Sequence, residues 1–169
     1  MLNAAAWLGA ALFYTASVAP AVISRDMLAL LGTRNFAFFS ESVSQIVLTH
    51  YFYWHTGCAV IALLHLLVEW LYLGRVVHQL WPGLLAALLA LGLFGSFWLS
   101  PKLANLHRAQ HRLDAKPGDR EQATRSFRFW HGVFQAVNVL MIGGVAVYFW
   151  RATNPSDSLR FVSPTKFRG

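Results

Sequence analysis

Long apolar runs separated by short charged stretches organise this chain, and one of them dominates. Ile46 to Tyr72 reads IVLTHYFYWHTGCAVIALLHLLVEWLY, too long and apolar for a soluble helix, yet it carries His50, His55, Cys58, His65 and Glu69. About 20 helical residues, each rising about 1.5 Å, cross a ~30 Å hydrocarbon core. On that rule the pattern predicts spans over residues 4–23, 43–76, 82–100 and 120–152.

The first run, AAAWLGAALFYTASVAPAVI, has a rival reading as a signal peptide cleaved near Ala19-Pro20-Ala21; it lacks a basic leading region, so a retained helix is expected. Residues 25–40 mix Arg25, Asp26 and Arg34 with Phe36, Phe38 and Phe39, the pattern of a short interfacial helix. Ser42 with Gln45 forms a capping-box pattern that predicts the second span to start near Val43. The third starts at Pro82, a favoured first helical position. Gly92 and Gly95 are expected to admit another helix, and a partner chain is one candidate for it. Pro101 predicts a kink or restart. Beyond it, Leu103, Leu106, Gln110 and Leu113 repeat at helical spacing opposite Lys102, Asn105, Arg108 and Arg112, predicting a cytoplasmic helical extension. Lys116 to Asp119 is a loop, with Asp119 and Gln122 as a cap for the fourth span. Residues 154–169 form a polar C-terminal tail.

Composition sharpens the class. Hydrophobic residues are 56% of the 169 and charged residues 12%, about half the charged share of a soluble domain. The chain is therefore expected to be all-α: an integral membrane four-helix bundle forming one domain over residues 1–153. Its single cysteine excludes an internal disulfide.

The net charge of +7 has a positional explanation. Arg25, Arg34, Lys102, Arg108, Arg112, Lys116, Arg120, Arg125 and Arg128 fall on one side. Arg75, Arg151, Arg160, Lys166 and Arg168 fall on the other. The heavier side is expected to be cytoplasmic, leaving both termini outside, in a bacterial inner membrane. Trp7, Trp70, Trp81 and Trp150 at outer helix ends, with Trp98 and Trp130 at inner ones, fit an interfacial aromatic belt. No nucleic-acid motif, phosphate loop or nucleophile elbow is present.

Chemistry then rests on ionisable groups at membrane depth, where they are expensive unless turned inward. Cys58, His65 and Glu69 share a face of the second span, and His131, Gln135 and Asn138 form a stripe on the fourth. The expected arrangement is an inward polar seam of His65, Glu69, Gln135 and Asn138 that joins helices. With Ile61 and Leu140 as midplanes, His131, His50 and His55 lie about 13, 16 and 9 Å towards the basic side, depths at which histidines of two helices can ligate a haem b or a metal. His107 and His111, one turn apart, offer a metal grip, although a solvated basic face is the simpler reading.

Several short patterns carry a resemblance. Trp7-x-Gly9, Phe13 and Ala19-Pro20 lead the first span; Tyr51-Phe52 heads the second; Ser100-Pro101-x-x-Ala104-Asn105 closes the third. The fourth carries Arg125-x-Phe127, Phe129-Trp130-His131-Gly132 and Asn138. Together they resemble the DUF4149, transmembrane protein 205-like family, over roughly residues 7–152. The resemblance implies a four-helix membrane protein with no established reaction, matched at Pro20, Pro101, His131 and Asn138. The second-span histidines and Glu69 lie outside its pattern.

The expected function is that of a non-catalytic accessory subunit, with no cofactor, in contact with membrane lipids and with other membrane subunits or copies of itself. The alternatives are a haem or metal carrier using His131 with His50 or His55, and a small proton-coupled transporter using His65 and Glu69.

Overall fold

A computed structural model describes residues 1–73, 80–112 and 116–154. The described residues are helical without strands, and four helices are long and apolar enough to cross a membrane: α1 (Leu2–Val22), α2 (Arg25–Leu73), α3 (Leu80–Gln110) and α4 (Pro117–Thr153). The expected exit of the second span at Gly74 to Val76 and the tail beyond Asn154 lie outside the described residues.

Adjacent helices run antiparallel. Trp7 stands level with His55, Ser100 with Thr49, Leu88 with Gly144, and Thr15 with Asn138. The core is built from Trp7, Phe52, Leu85, Leu88, Leu99, Leu103, Met141 and Val145, all buried.

Two prolines shape the spans by the same device. Tyr14–Val18 and Gly95–Leu99 are π-helical turns, and in each case the proline, Pro20 or Pro101, follows two residues after the turn. A proline ring clashes with the carbonyl four residues back and supplies no N–H. In each case the residue before the proline, Ala19 or Ser100, reaches five residues back to the carbonyl of Tyr14 or Gly95, and the widened turn accommodates the ring. The helix therefore continues through Pro101 without a restart, and residues 102–110 belong to the same helix as the third span.

The second span starts earlier than its sequence pattern implies. Ser24 caps α2, its Oγ accepting from the Met27 N–H at 3.2 Å. Ser42 lies inside the helix, its hydroxyl donating to the Phe38 carbonyl at 2.7 Å. Of the expected interfacial segment, residues 25–40, the stretch 33–40 runs on into the span, and the part before Gly32 is an arm set off where φ 71° and ψ 157° break the helix direction. That conformation is essentially restricted to glycine. Space is not the constraint, because a Cβ at Gly32 meets nothing within 4 Å. Gly32→Ala is therefore expected to cost about 1–3 kcal/mol by backbone strain alone, read as a lower unfolding midpoint in mild detergent; an unchanged midpoint refutes it.

The fourth helix likewise begins three residues before the expected Arg120. Lys116 takes the cap position, Pro117 opens the first turn, and Asp119 sits within that turn, where a negative charge suits the helix dipole.

Gly92 and Gly95 do admit another helix, and it belongs to the same chain. A Cβ on Gly92 would stand 2.8 Å from His55 Cδ2 and from Thr56 Oγ1; one on Gly95 would stand 2.1 Å from Phe52 Cε1. These glycines close the α2–α3 pair and are not available to a partner.

Candidate functional site

The polar groups inside the bundle lie on three levels. At the first, His55 is fully buried and joins three helices. Trp7 Nε1 donates to its Nδ1 at 2.9 Å, and its Nε2 meets the Leu88 carbonyl at 3.0 Å. An indole N–H can only donate and a carbonyl can only accept, so the imidazole is the neutral Nε2–H tautomer. The indole also meets the ring edge-on, with centroids 4.9 Å apart. Neither nitrogen retains a free lone pair. Trp7, assigned from sequence to the interfacial belt, is instead 1% exposed and part of this node.

At the second level, Tyr51 donates to Asn138 Oδ1 at 2.8 Å and Asn138 Nδ2 donates to Thr15 Oγ1 at 2.9 Å. Tyr14 stacks on Tyr51 with centroids 4.4 Å apart. Nearby, Ser100 and Thr49 hydroxyls meet at 2.8 Å while Thr49 donates to the Gln45 carbonyl, so Ser100 supplies the proton between them.

The third level lies at the basic end. His107, on α3, is buried and its Nδ1 stands 2.6 Å from Glu41 Oε2 on α2. Its Nε2 meets Ser42 Oγ at 3.2 Å, and Gln110 Nε2 donates to Glu41 Oε2 at 2.6 Å. His111, one turn on, is half-buried and places Nδ1 3.0 Å from the His107 carbonyl. The solvated basic face expected for these two histidines is therefore corrected: His107 faces the bundle because the antiparallel α2–α3 pair brings Glu41 to it.

The residues singled out from sequence fare unequally. Asn138 is the inward member of the expected seam. His65, Glu69 and Gln135 face outward; His65 and Glu69 pair at 3.7 Å, with the His65 side chain 68% exposed. Gln135 meets His131 at 3.4 Å on an exposed face. His50 is exposed and bonds its own Ile46 carbonyl at 2.9 Å. The three histidines of the haem reading do not converge: His131 stacks on Phe127, whose ring lies beside His107, whereas His55 is level with Trp7 and Leu88. His55, with both nitrogens engaged, offers no axial ligand as it stands.

Trp7, Thr15, Glu41, Ser42, Tyr51 and Ser100 had no site role in the sequence reading. Thr15 and Asn138 are 123 residues apart, and Glu41 and His107 are 66 apart. Only the topology joins them.

Fold and site thus define an all-α, polytopic, membrane-embedded protein with an internally bonded polar core. A family model, Domain of unknown function (DUF4149), matches residues 2–112, and the chain belongs to that family. The match takes in Pro20 and Pro101, each with its π turn, and the Glu41–His107–His111 group. No curated protein and no solved structure matches the chain.

Proposed function

We propose that this chain is a non-catalytic membrane protein that works by lateral association with transmembrane helices of a partner chain. The observation that carries the reading is the outward His131–Gln135 pair on α4. Gln135 lies three residues from Asn138, which is level with Tyr51 and Thr15 in the middle of the bundle. A polar amide at that depth finds no partner in lipid, so a protein surface is what satisfies it. The inward groups support the same reading from the other side. His55, Tyr51 and Asn138 are each bonded to neighbouring helices and hold no group in reserve for a reaction. In this reading the basic end faces the cytoplasm of a bacterial inner membrane, with both termini outside.

The test is native mass spectrometry of the protein released from lipid nanodiscs. The expected result is a species heavier than the 18.9 kDa monomer, containing a second copy or a stoichiometric partner, which Gln135→Leu with His131→Leu reduces to monomer while helicity is retained. A wild-type monomer carrying lipid alone refutes the reading.

A further inference from the structure

The Glu41–His107–His111 group shares no residue with the outward His131–Gln135 pair, and its chemistry is different. One ligand atom from each residue falls within 4.8 Å of the other two. Two imidazoles and a carboxylate form a donor set suited to divalent first-row transition ions, with coordination positions left open. A His pair one turn apart on a helix presents both rings to the same side, and their centroids are 4.6 Å apart.

The surrounding hydrogen bonds prepare these atoms as a ligand set. Metal-bound histidines characteristically donate their second N–H to a carbonyl or other acceptor, which fixes the tautomer and aims the free lone pair. His111 does this. Its Nδ1 faces the His107 carbonyl at 3.0 Å, and because a carbonyl only accepts, Nε2 keeps its lone pair. His107 does it through Ser42. The Ser42 hydroxyl spends its one proton on the Phe38 carbonyl at 2.7 Å, so its oxygen accepts from His107 Nε2 at 3.2 Å. Nδ1 is left towards Glu41, with the Gln110 Nε2 donor 3.3 Å from it. The carboxylate is held in turn by Gln110 Nε2, and Phe38 lies against both imidazoles, with centroids 5.3 and 5.4 Å away.

We propose that Glu41, His107 and His111 bind one divalent transition-metal ion of the zinc class at the basic end of the bundle. Without the ion, a proton occupies the 2.6 Å gap between His107 Nδ1 and Glu41 Oε2. An ion about 2.0–2.2 Å from each atom replaces that proton and requires the gap to open to roughly 3.3 Å. The Glu41 side chain, 34% exposed, has room to make that shift, and its exposed edge leaves a coordination position for water. The ion ties α2 to α3 beyond the point where the apolar core ends.

The test uses the full chain, stripped with chelator in mild detergent and titrated with Zn²⁺ by calorimetry and with Co²⁺ by visible absorption. One ion per chain is expected, with a Kd of about 1 µM or tighter. His111→Ala is the deciding variant, because among the described residues the His111 hydrogen bond is to its own helix, and its loss leaves the Glu41–His107 hydrogen bond in place. A weakening of about tenfold or more in His111→Ala, with Ser42→Ala weaker by a similar factor, carries the proposal. A smaller loss in His111→Ala, an equal loss in His65→Ala, or no stoichiometric ion in the wild type overturns it. Glu41→Gln then reports on the carboxylate, with circular dichroism confirming that the helices persist.

Discussion

His55→Ala is expected to destabilise the bundle by about 3–5 kcal/mol, the largest effect of any single histidine change. Truncation removes a fully buried ring from the junction of α1, α2 and α3 and leaves a cavity. It also strands the Trp7 indole N–H, which has His55 Nδ1 as its acceptor. A buried donor without a partner adds about 1–3 kcal/mol to the cost, part of which is already counted in that total. His50→Ala and His65→Ala serve as contrasts. Both residues are exposed, and among the described residues His50 bonds its own helix backbone, so each is expected to change stability by less than about 0.5 kcal/mol. Unfolding by SDS titration, followed by tryptophan fluorescence, separates these cases. If all three variants unfold together with the wild type, the Trp7–His55–Leu88 node does not hold the bundle. Trp7→Phe gives an internal check: it removes the donor and part of a buried ring, so a loss of about 1–3 kcal/mol or more is expected.

That node explains what was and was not legible in the sequence. The spans were legible because a bilayer demands about 20 apolar residues per crossing, and few other constraints produce such runs. The direction in which each polar side chain faces was not. In a soluble helix the polar face marks the outside. In a membrane helix both faces are apolar, so the pattern does not orient the helix. Cys58, His65 and Glu69 share one face by spacing, yet Cys58 is buried and His65 is exposed. The difference lies along the axis: Asn3, at the start of α1, bonds the Cys58 carbonyl, so the part of α2 carrying His65 and Glu69 runs on beyond α1. The rule that intramembrane charges turn inward does not reach residues so far along α2.

Relative depth was not legible for the same reason: Asn138, two residues from Leu140, stands level with Tyr51, ten residues before Ile61, so the two assumed midplanes do not share a level. His131 then lies nearer the Glu41–His107 level than the His55 level. Glu41 itself carried no local signal, since its neighbour Ser42 read as a helix start. Its role comes from a hydrogen bond to a residue 66 positions away. Close helix approach at Gly92 and Gly95, by contrast, was readable, though whose helix approaches was not.

Gly95→Ala is expected to cost about 3 kcal/mol, at the upper end of the range for overpacked cores. The added Cβ would stand 2.1, 2.3 and 2.5 Å from three atoms of the Phe52 ring, where carbon atoms prefer about 3.5–4.0 Å. Phe52 has 0% exposure and packs against Tyr51 and Phe134, so its ring has nowhere to retreat. If the clash is the cause, shrinking the ring should relieve it. Phe52→Leu alone is expected to destabilise through its cavity, but the double variant should be more stable than the sum of the two losses by about 1–2 kcal/mol. Gly132→Ala supplies the control. A Cβ there meets nothing within 4 Å, and alanine is the better helix former by about 1 kcal/mol, so no loss is expected. Additive losses in the Gly95–Phe52 cycle would mean that the alanine is costly for another reason, such as distortion of the π turn that Gly95 opens. A Gly95→Ala variant that folds normally but loses a co-purifying chain would return the glycine to the surface and contradict the α2–α3 contact itself.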